Sequence, residues 1–243
     1  MQEFENPKKF THFKIHTQYS ICEGALKIDD LNTYCKENKI LSLGISDTSN
    51  LCGALEFSEK IVKSGTQPII GTQIIFKFED QEGLLTLIAK NEQGYRNMIE
   101  LSSKSYLEND NLSKPHCKLN DLFDKNEGLI VMSGTINGLI GNLFNKGKFE
   151  LIEDIYKKLK NYYSDNFYIE IQRHSDKDEK SFEKFNLNLS LKHNIPIIAS
   201  HEVFYIEKNM HDAHEALICI GNKSYLNDKT RKSYTSEHYL KSH

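Results

Sequence analysis

The stretch LSLGISDTSNLCGALEFSEKIVKSGTQPIIGTQIIFKF, residues 41–78, predicts a strand, a helix and a second strand in succession. Residues 41–46 and 68–78 are apolar runs of the length that buried strands have. Between them, residues 54–62 carry apolar side chains at helical spacing, and Gly65 follows as a stop signal. Two strands joined through a helix are typical of parallel strands with a crossover connection.

The same alternation continues over the rest of the sequence. Further strands are predicted at residues 13–16, 84–89, 129–133, 167–172 and 195–200, and helices at 28–35, 95–107, 152–163, 182–189 and 212–220. Residues 79–83 predict a hairpin turn, and residues 108–118 predict a long surface loop. About six or seven such units favour one α/β domain over residues 1–243, with a mostly parallel, closed or nearly closed barrel.

The composition argues against several classes of protein. The 31 Lys and Arg residues against 34 Asp and Glu residues give a formal net charge of −3, which disfavours autonomous binding to nucleic acid. We expect no signal peptide and no membrane partner, because no long apolar run occurs. The five cysteines are scattered without a CxxC pair, which predicts small buried thiols and a cytoplasmic location. Residues 234–243 stop in mid-pattern, so we expect the natural chain to continue.

Polar side chains follow several of the predicted strands. In α/β barrels the chemistry lies at the carboxyl ends of the strands. Histidine and carboxylate side chains are the usual ligands of hydrolytic metal ions. This pattern indicates a metal-dependent hydrolase, with candidate site residues His16, Asp47, Gln73, Thr135, His174, His201 and Glu202.

Three blocks of sequence resemble one known family. THFKIHTQYSICEG at residues 11–24, ISDTSNLCGALEF at 45–57 and IIGTQIIF at 69–76 are similar to the PHP (polymerase and histidinol phosphatase) domain of bacterial DNA polymerase III alpha subunits. The later blocks EGLIVMSG, FYIEIQRH and IPIIASHEVFYI keep the family's order. The resemblance implies a distorted seven-stranded β/α barrel that forms the N-terminal part of a much longer chain.

Active members of that family hold two or three metal ions at the barrel mouth and hydrolyse phosphoesters. Of their nine ligand positions, His16 alone is unchanged here. Glu23 and Glu202 are carboxylates where the family has Asp, and Asp47 precedes the position of a lost histidine. The other six positions carry residues that differ from the family's ligands: Lys14, Thr48, Gln73, Leu84, Thr135 and Phe204.

The departures imply a degenerate site that neither binds metal tightly nor catalyses. Lys14 brings a positive charge among the ligand positions, and Leu84 and Phe204 cannot coordinate an ion. We therefore expect no catalytic residue and no cofactor in this domain. The weak candidates for residual metal binding are His16, Glu23, Asp47, His174 and Glu202.

The resemblance also implies partners. The parent chain would be a Mg²⁺-dependent DNA polymerase that contacts DNA outside this domain. The domain would be a scaffold that supports the rest of the alpha chain and docks the separate proofreading exonuclease subunit. The alternative is an active metal-dependent phosphoesterase or 3′–5′ exonuclease of the PHP family.

Several residues have both a functional and an ordinary interpretation. For His16 we favour a hydrogen-bonded residue lining the barrel mouth, and for His12 a residue without a ligand role. His174 is either an anion contact or an exposed loop residue. The pair His211 and His214 has a spacing that suits zinc, although capping or surface packing is preferred.

Two further features are interpreted in the same way. Cys52 near a predicted helix N-terminus is either a reactive thiol or, as we prefer, a small buried residue. The lysine pairs at residues 8–9 and 157–158 are taken as solvated faces.

Overall fold

The computed structural model describes residues 10–109 and 114–242. The lysine pair at residues 8–9, the middle of the predicted loop at 110–113 and residue 243 lie outside the described residues. The strands are β1 (Lys14–Ile15), β2 (Ser42–Thr48), β3 (Gln67–Phe78), β4 (Gln81–Ala89), β5 (Cys117–Lys118), β6 (Leu129–Met132), β7 (Phe167–Ile171), β8 (Ile197–Ala199) and β9 (Glu202–Val203). The helices are α1 (Ile28–Asn38), α2 (Ala54–Val62), α3 (Glu92–Leu107), α4 (Leu119–Asp124), α5 (Leu139–Asn145), α6 (Phe149–Tyr163), α7 (Glu179–His193) and α8 (His211–Asn222).

A strongly curled mixed sheet of seven strands forms the body of the protein, which confirms the predicted α/β class. Its order is β2-β3-β4-β6-β7-β8, with β5 paired to β3. The pairs β2–β3, β6–β7 and β7–β8 are parallel, as crossover helices require. The β3–β4 and β4–β6 pairs are antiparallel, because β3 and β4 form a hairpin.

A second, two-stranded sheet lies beside β2 of the first. Strand β1 pairs in parallel with β9, in the register Lys14 with Glu202. The backbone N–H of Gly44 in β2 donates to the carbonyl of His12, at 2.7 Å. A Cβ at Gly44 would lie 3.0 Å from the Cα of Phe13, so glycine permits this close approach. Because β9 follows β8 after two residues, the small sheet brings the chain back towards β2.

Two apolar clusters support this arrangement. The larger lies between the sheet and helices α3 to α7, where Tyr156 and Leu159 of α6 are buried with Phe167 of β7. The smaller packs α1 and α2 against β2, with Leu31 and Phe57 fully buried. The apolar spacing that predicted these helices therefore identifies the faces that they bury.

The sequence missed short elements. Helices α4 and α5 have six and seven residues, too few for a periodic signal. The predicted loop at residues 108–118 was wrong at its end, since Cys117 and Lys118 pair with β3 as β5. Among the described residues, no helix is long and apolar enough to cross a membrane. The pair Lys157 and Lys158 is exposed, as predicted.

Candidate functional site

All nine family positions line one cavity of about 640 Å³. Strands β1 and β9 contribute Lys14 and Glu202, β3 contributes Gln73, and the end of β2 contributes Thr48. The remaining five come from β4 and from segments that follow or precede other strands: His16, Glu23, Leu84, Thr135 and Phe204. The curled sheet therefore brings together residues that are widely separated in sequence.

A buried ammonium group lies beside this cavity. The Nζ atom of Lys14 is 3.0 Å from Oε1 of Glu170 and 3.6 Å from Oε1 of Glu202. The Lys14 side chain is 2% exposed and that of Glu170 is fully buried. Burial opposes the charge of Lys14, yet the two carboxylates outweigh it and raise the Lys14 pKa above its ordinary value. Lys14 therefore remains a cation inside the protein.

Glu202 is the meeting point of the polar network. Its Oε1 accepts from Nε2 of Gln73 at 2.6 Å and lies 3.1 Å from Nε2 of His16. Burial opposes its charge, but Lys14 and His16 hold the pKa of Glu202 well below its usual range. The ring of Phe204 stacks on His16, with centroids 4.4 Å apart. His16 is thus held by an apolar ring and by hydrogen bonds.

Glu23 occupies the opposite side of His16. Its Oε2 accepts from the Thr48 hydroxyl at 2.7 Å, and Thr48 Oγ1 lies 3.3 Å from Nδ1 of His16. The ammonium of Lys232 lies 3.9 Å from Oε1 of Glu23 at the rim. Two of the carboxylates that could hold an ion, Glu23 and Glu202, therefore have basic side chains within 4 Å.

Asp47 lies outside the lining of the cavity, although the sequence placed it among the candidates. It is buried, and its Oδ1 accepts from the Thr17 amide and the Ser20 hydroxyl, both at 2.7 Å. Its Oδ2 accepts from the Thr17 hydroxyl at 2.8 Å. These bonds fix the loop that carries His16.

A stack of three buried histidine rings adjoins the cavity. The rings of His174 and His238 are nearly parallel, with centroids 4.1 Å apart, and His201 stacks on His174 at 4.5 Å. Burial lowers the pKa of His174 to about 2 and the pKa values of His201 and His238 to about 4. The interpretation of His174 as an exposed loop residue was wrong, because the ring is 1% exposed.

One group of side chains could hold a metal ion. His174, Asp176 and His238 offer ligand atoms within 4.8 Å of one another. The Nε2 atom of His238 is buried without a hydrogen-bond partner among the described residues. The Nε2 atom of His174 accepts a hydrogen bond from the Glu202 amide at 3.3 Å, so an ion bound to that atom would replace this bond.

Other histidines bind the backbone of the segment after α8. The Nε2 atoms of His12, His201 and His211 lie 2.9–3.1 Å from the carbonyls of Lys241, Tyr239 and Tyr234. His214 is buried and bonds to the Glu23 carbonyl at 2.9 Å, so the surface-packing interpretation was wrong for it. The rings of His12, His201 and His211 therefore attach residues 234–241 to the barrel.

The cysteines follow the prediction in part. Cys35, Cys117 and Cys219 are buried and all five are free. The prediction of a buried residue was wrong for Cys52, which is exposed, and Cys22 is half-buried. Cys52 lies in the turn before α2, where its side chain reaches solvent.

Sequence reasoning missed the residues that complete the site. Glu170 lies on β7 on the same face as Gln172, whose Nε2 donates to Glu170 Oε1 at 2.8 Å. A carboxylate within the apolar run FYIEIQ was the available signal, because a buried carboxylate needs a cation. Asp176, Tyr234 and His238 gave no signal, since their loops have no periodic pattern.

Comparison with known proteins decides the family. A family model described as the PHP domain matches residues 12–174. The chain belongs to the PHP domain family. This PHP chain is 33% identical over 240 residues to the DNA polymerase III subunit alpha of Caulobacter vibrioides, covering 96% of the chain and 21% of the relative. The subunit alpha of Rickettsia conorii is 35% identical over 226 residues, covering 91% and 19%.

The PHP chain therefore spans about a fifth of the length of the curated relatives it matches. Among solved structures, an amidohydrolase from Chromobacterium violaceum has a TM-score of 0.52 and 11% identity, covering 80% of this chain and 87% of that one. This likeness concerns the fold.

Proposed function

We propose that the chain is the N-terminal PHP domain of a replicative DNA polymerase III alpha subunit, acting in the cytoplasm. Its support is the match to subunits alpha over nearly all of this chain and a fifth of theirs. The parent chain would add deoxynucleotides to a primer with Mg²⁺ bound outside this domain. Contacts with DNA would then belong to the remainder of the parent.

The domain itself would be catalytically inactive, and one observation carries this proposal. Lys14 places a buried ammonium group 3.0 Å from Glu170 and 3.6 Å from Glu202, among the positions where the family binds metal ions. A metal ion there would meet a charge of the same sign. Leu84 and Phe204 offer no donor atom, so the residues present do not fit a multi-metal centre.

Metal analysis tests this proposal. We expect Zn, Mn and Fe well below one equivalent in the purified protein, and no turnover of a chromogenic phosphodiester. The matched variants are His16→Ala in the cavity and His193→Ala at the end of α7, outside the lining of the cavity. Stoichiometric metal, with turnover that His16→Ala abolishes and His193→Ala preserves, would contradict the inactive site.

A second candidate function is a metal-dependent phosphoesterase or 3′–5′ exonuclease. The observation that favours it is the His174, Asp176 and His238 group. For this candidate, Asp176→Asn must remove both bound metal and hydrolysis, while Asp212→Asn, an exposed change on α8, leaves both intact. Absence of metal from the wild-type protein excludes this candidate.

We further propose that the domain supports the polymerase and docks the proofreading exonuclease subunit. An inactive site leaves the fold available as a scaffold, and the exposed apolar side chains of the chain provide surface for contacts. The test is size-exclusion chromatography of the protein with the exonuclease subunit of the same organism at micromolar concentration. Co-elution is expected, and separate elution would contradict docking by this part of the chain.

A further inference from the structure

The end of α8 and the loop after it present apolar side chains to solvent. Ile220 is 72% exposed, Tyr225 is 79% exposed and Leu226 is 57% exposed. Large apolar side chains grouped in this way are typical of surfaces that bind another protein. We define the α8 loop surface by these three residues with Ile21, Lys223 and Lys229.

Ile21 is assigned to this surface because the neighbouring residue, Cys22, contacts the end of α8. A Cβ at Gly221 would lie 2.6 Å from the Cβ of Cys22, so the loop that carries Ile21 packs on the end of α8. Ile21 is 82% exposed and lines a groove of about 560 Å³ together with Gly221. A partner that reached this end of α8 would meet the exposed side chain of Ile21 and the groove beside it.

The loop is held in one conformation by its own hydrogen bonds. The Asp228 amide donates to the Tyr225 carbonyl at 3.0 Å, and Asp228 Oδ1 accepts from the Thr230 amide at 2.8 Å. Nε of Arg231 donates to the Leu226 carbonyl at 3.3 Å, while its guanidinium pairs with Glu215 of α8. A prearranged loop binds with a smaller loss of conformational entropy.

The charges of the loop identify the partner. Residues 220–232 contain four basic side chains and one carboxylate, in a chain whose net charge is −3. Lys223 and Lys229 are exposed and have no ion pair in the described part of the chain. The carboxylate of Asp228 accepts a hydrogen bond from the Thr230 hydroxyl. The two lysines therefore dominate the electrostatic potential of the loop, which is positive.

We propose that the α8 loop surface binds an acidic protein segment that carries apolar anchor side chains. The lysines attract its carboxylates, and its anchors pack on Ile220, Tyr225 and Leu226. Single-stranded nucleic acid would use Tyr225 and the lysines, but its binding relies on aromatic and basic side chains rather than on aliphatic ones. The aliphatic share of the surface therefore favours protein. This inference stands apart from the proposed docking of the exonuclease subunit.

Fluorescence anisotropy with three labelled probes tests the inference. The first probe is a short peptide of Asp, Glu, Leu and Phe, the second has Ser in place of Leu and Phe, and the third is an oligothymidylate. We expect the first probe to bind about tenfold more tightly than the second, and its affinity to fall as salt screens the lysines. We expect the double variant Leu226→Ser/Lys229→Glu to weaken that binding about tenfold.

The control is the double variant Lys184→Glu/Leu191→Ser, which makes the same changes on exposed positions of α7. It must bind the first peptide as the wild type does, and circular dichroism must show both variants folded. Equal affinity for the two peptides, or equal loss in both variants, overturns the inference. Tighter binding of the oligothymidylate overturns it in favour of a nucleic-acid surface.

Discussion

The substitution Lys14→Met tests whether the buried ammonium stabilises the fold. Methionine keeps a long unbranched side chain but removes the charge that faces Glu170 at 3.0 Å and Glu202 at 3.6 Å. At an effective dielectric constant of about 20, two unit charges at 3.0 Å attract by about 5.5 kcal/mol, part of which offsets their desolvation. Removing one partner of a buried pair costs about 3–5 kcal/mol, and we expect a loss of this size.

Urea unfolding followed by circular dichroism measures the loss. The double variant Lys14→Met/Glu170→Gln should lose less stability than the two single variants together, because it leaves no unpaired charge at position 170. Lys192→Met removes an exposed partner of Glu153 and should leave the midpoint almost unchanged. An unchanged urea midpoint in Lys14→Met would refute the electrostatic reasoning.

Three further predictions concern stability. The buried rings of His174, His201 and His238 stay neutral while the unfolded chain binds protons below about pH 6.5, so stability should fall from pH 7.5 to 5.5 by about 1.4 kcal/mol per histidine. Urea midpoints at the two pH values measure this fall, and equal midpoints would contradict the prediction. His238→Gln should make the fall smaller by the contribution of one histidine. Asp47→Asn replaces one acceptor oxygen by an amide nitrogen to which Thr17 or Ser20 cannot donate. We expect the free energy of unfolding to fall by about 1–3 kcal/mol in the same assay. Asp154→Asn, at an exposed position of α6, serves as the neutral control. Gly221→Val should lower the melting temperature because its Cβ meets Cys22 at 2.6 Å, and the double variant Gly221→Val/Cys22→Gly should recover part of it; no recovery would place the strain elsewhere.

The sequence predicted the long helices and strands and the residues that line the cavity. Apolar spacing located α2 and α6, and the family resemblance located Lys14, Glu202 and the other lining positions. These succeeded because long periodic segments and strand ends have local signals. The status of the metal positions stays a prediction.

The contacts of the site had no such signal. The partner of Lys14 is Glu170, more than a hundred residues away, and nothing local in FYIEIQ indicates which cation it meets. His174 was ambiguous because its burial comes from His201 and His238, which belong to other segments. Short elements such as α4 form through tertiary packing rather than through their own pattern.

The long-range hydrogen bonds of the histidines have a consequence for the order of folding. His12 and Lys241 are separated by 229 residues and His16 and Glu202 by 186, so these bonds close some of the longest loops in the chain. During synthesis the N-terminal half emerges first, before the C-terminal partners of these bonds have been made. The helices and the β3–β4 hairpin can form from local contacts, so we expect the cavity to assemble last, once residues 234–241 have left the ribosome.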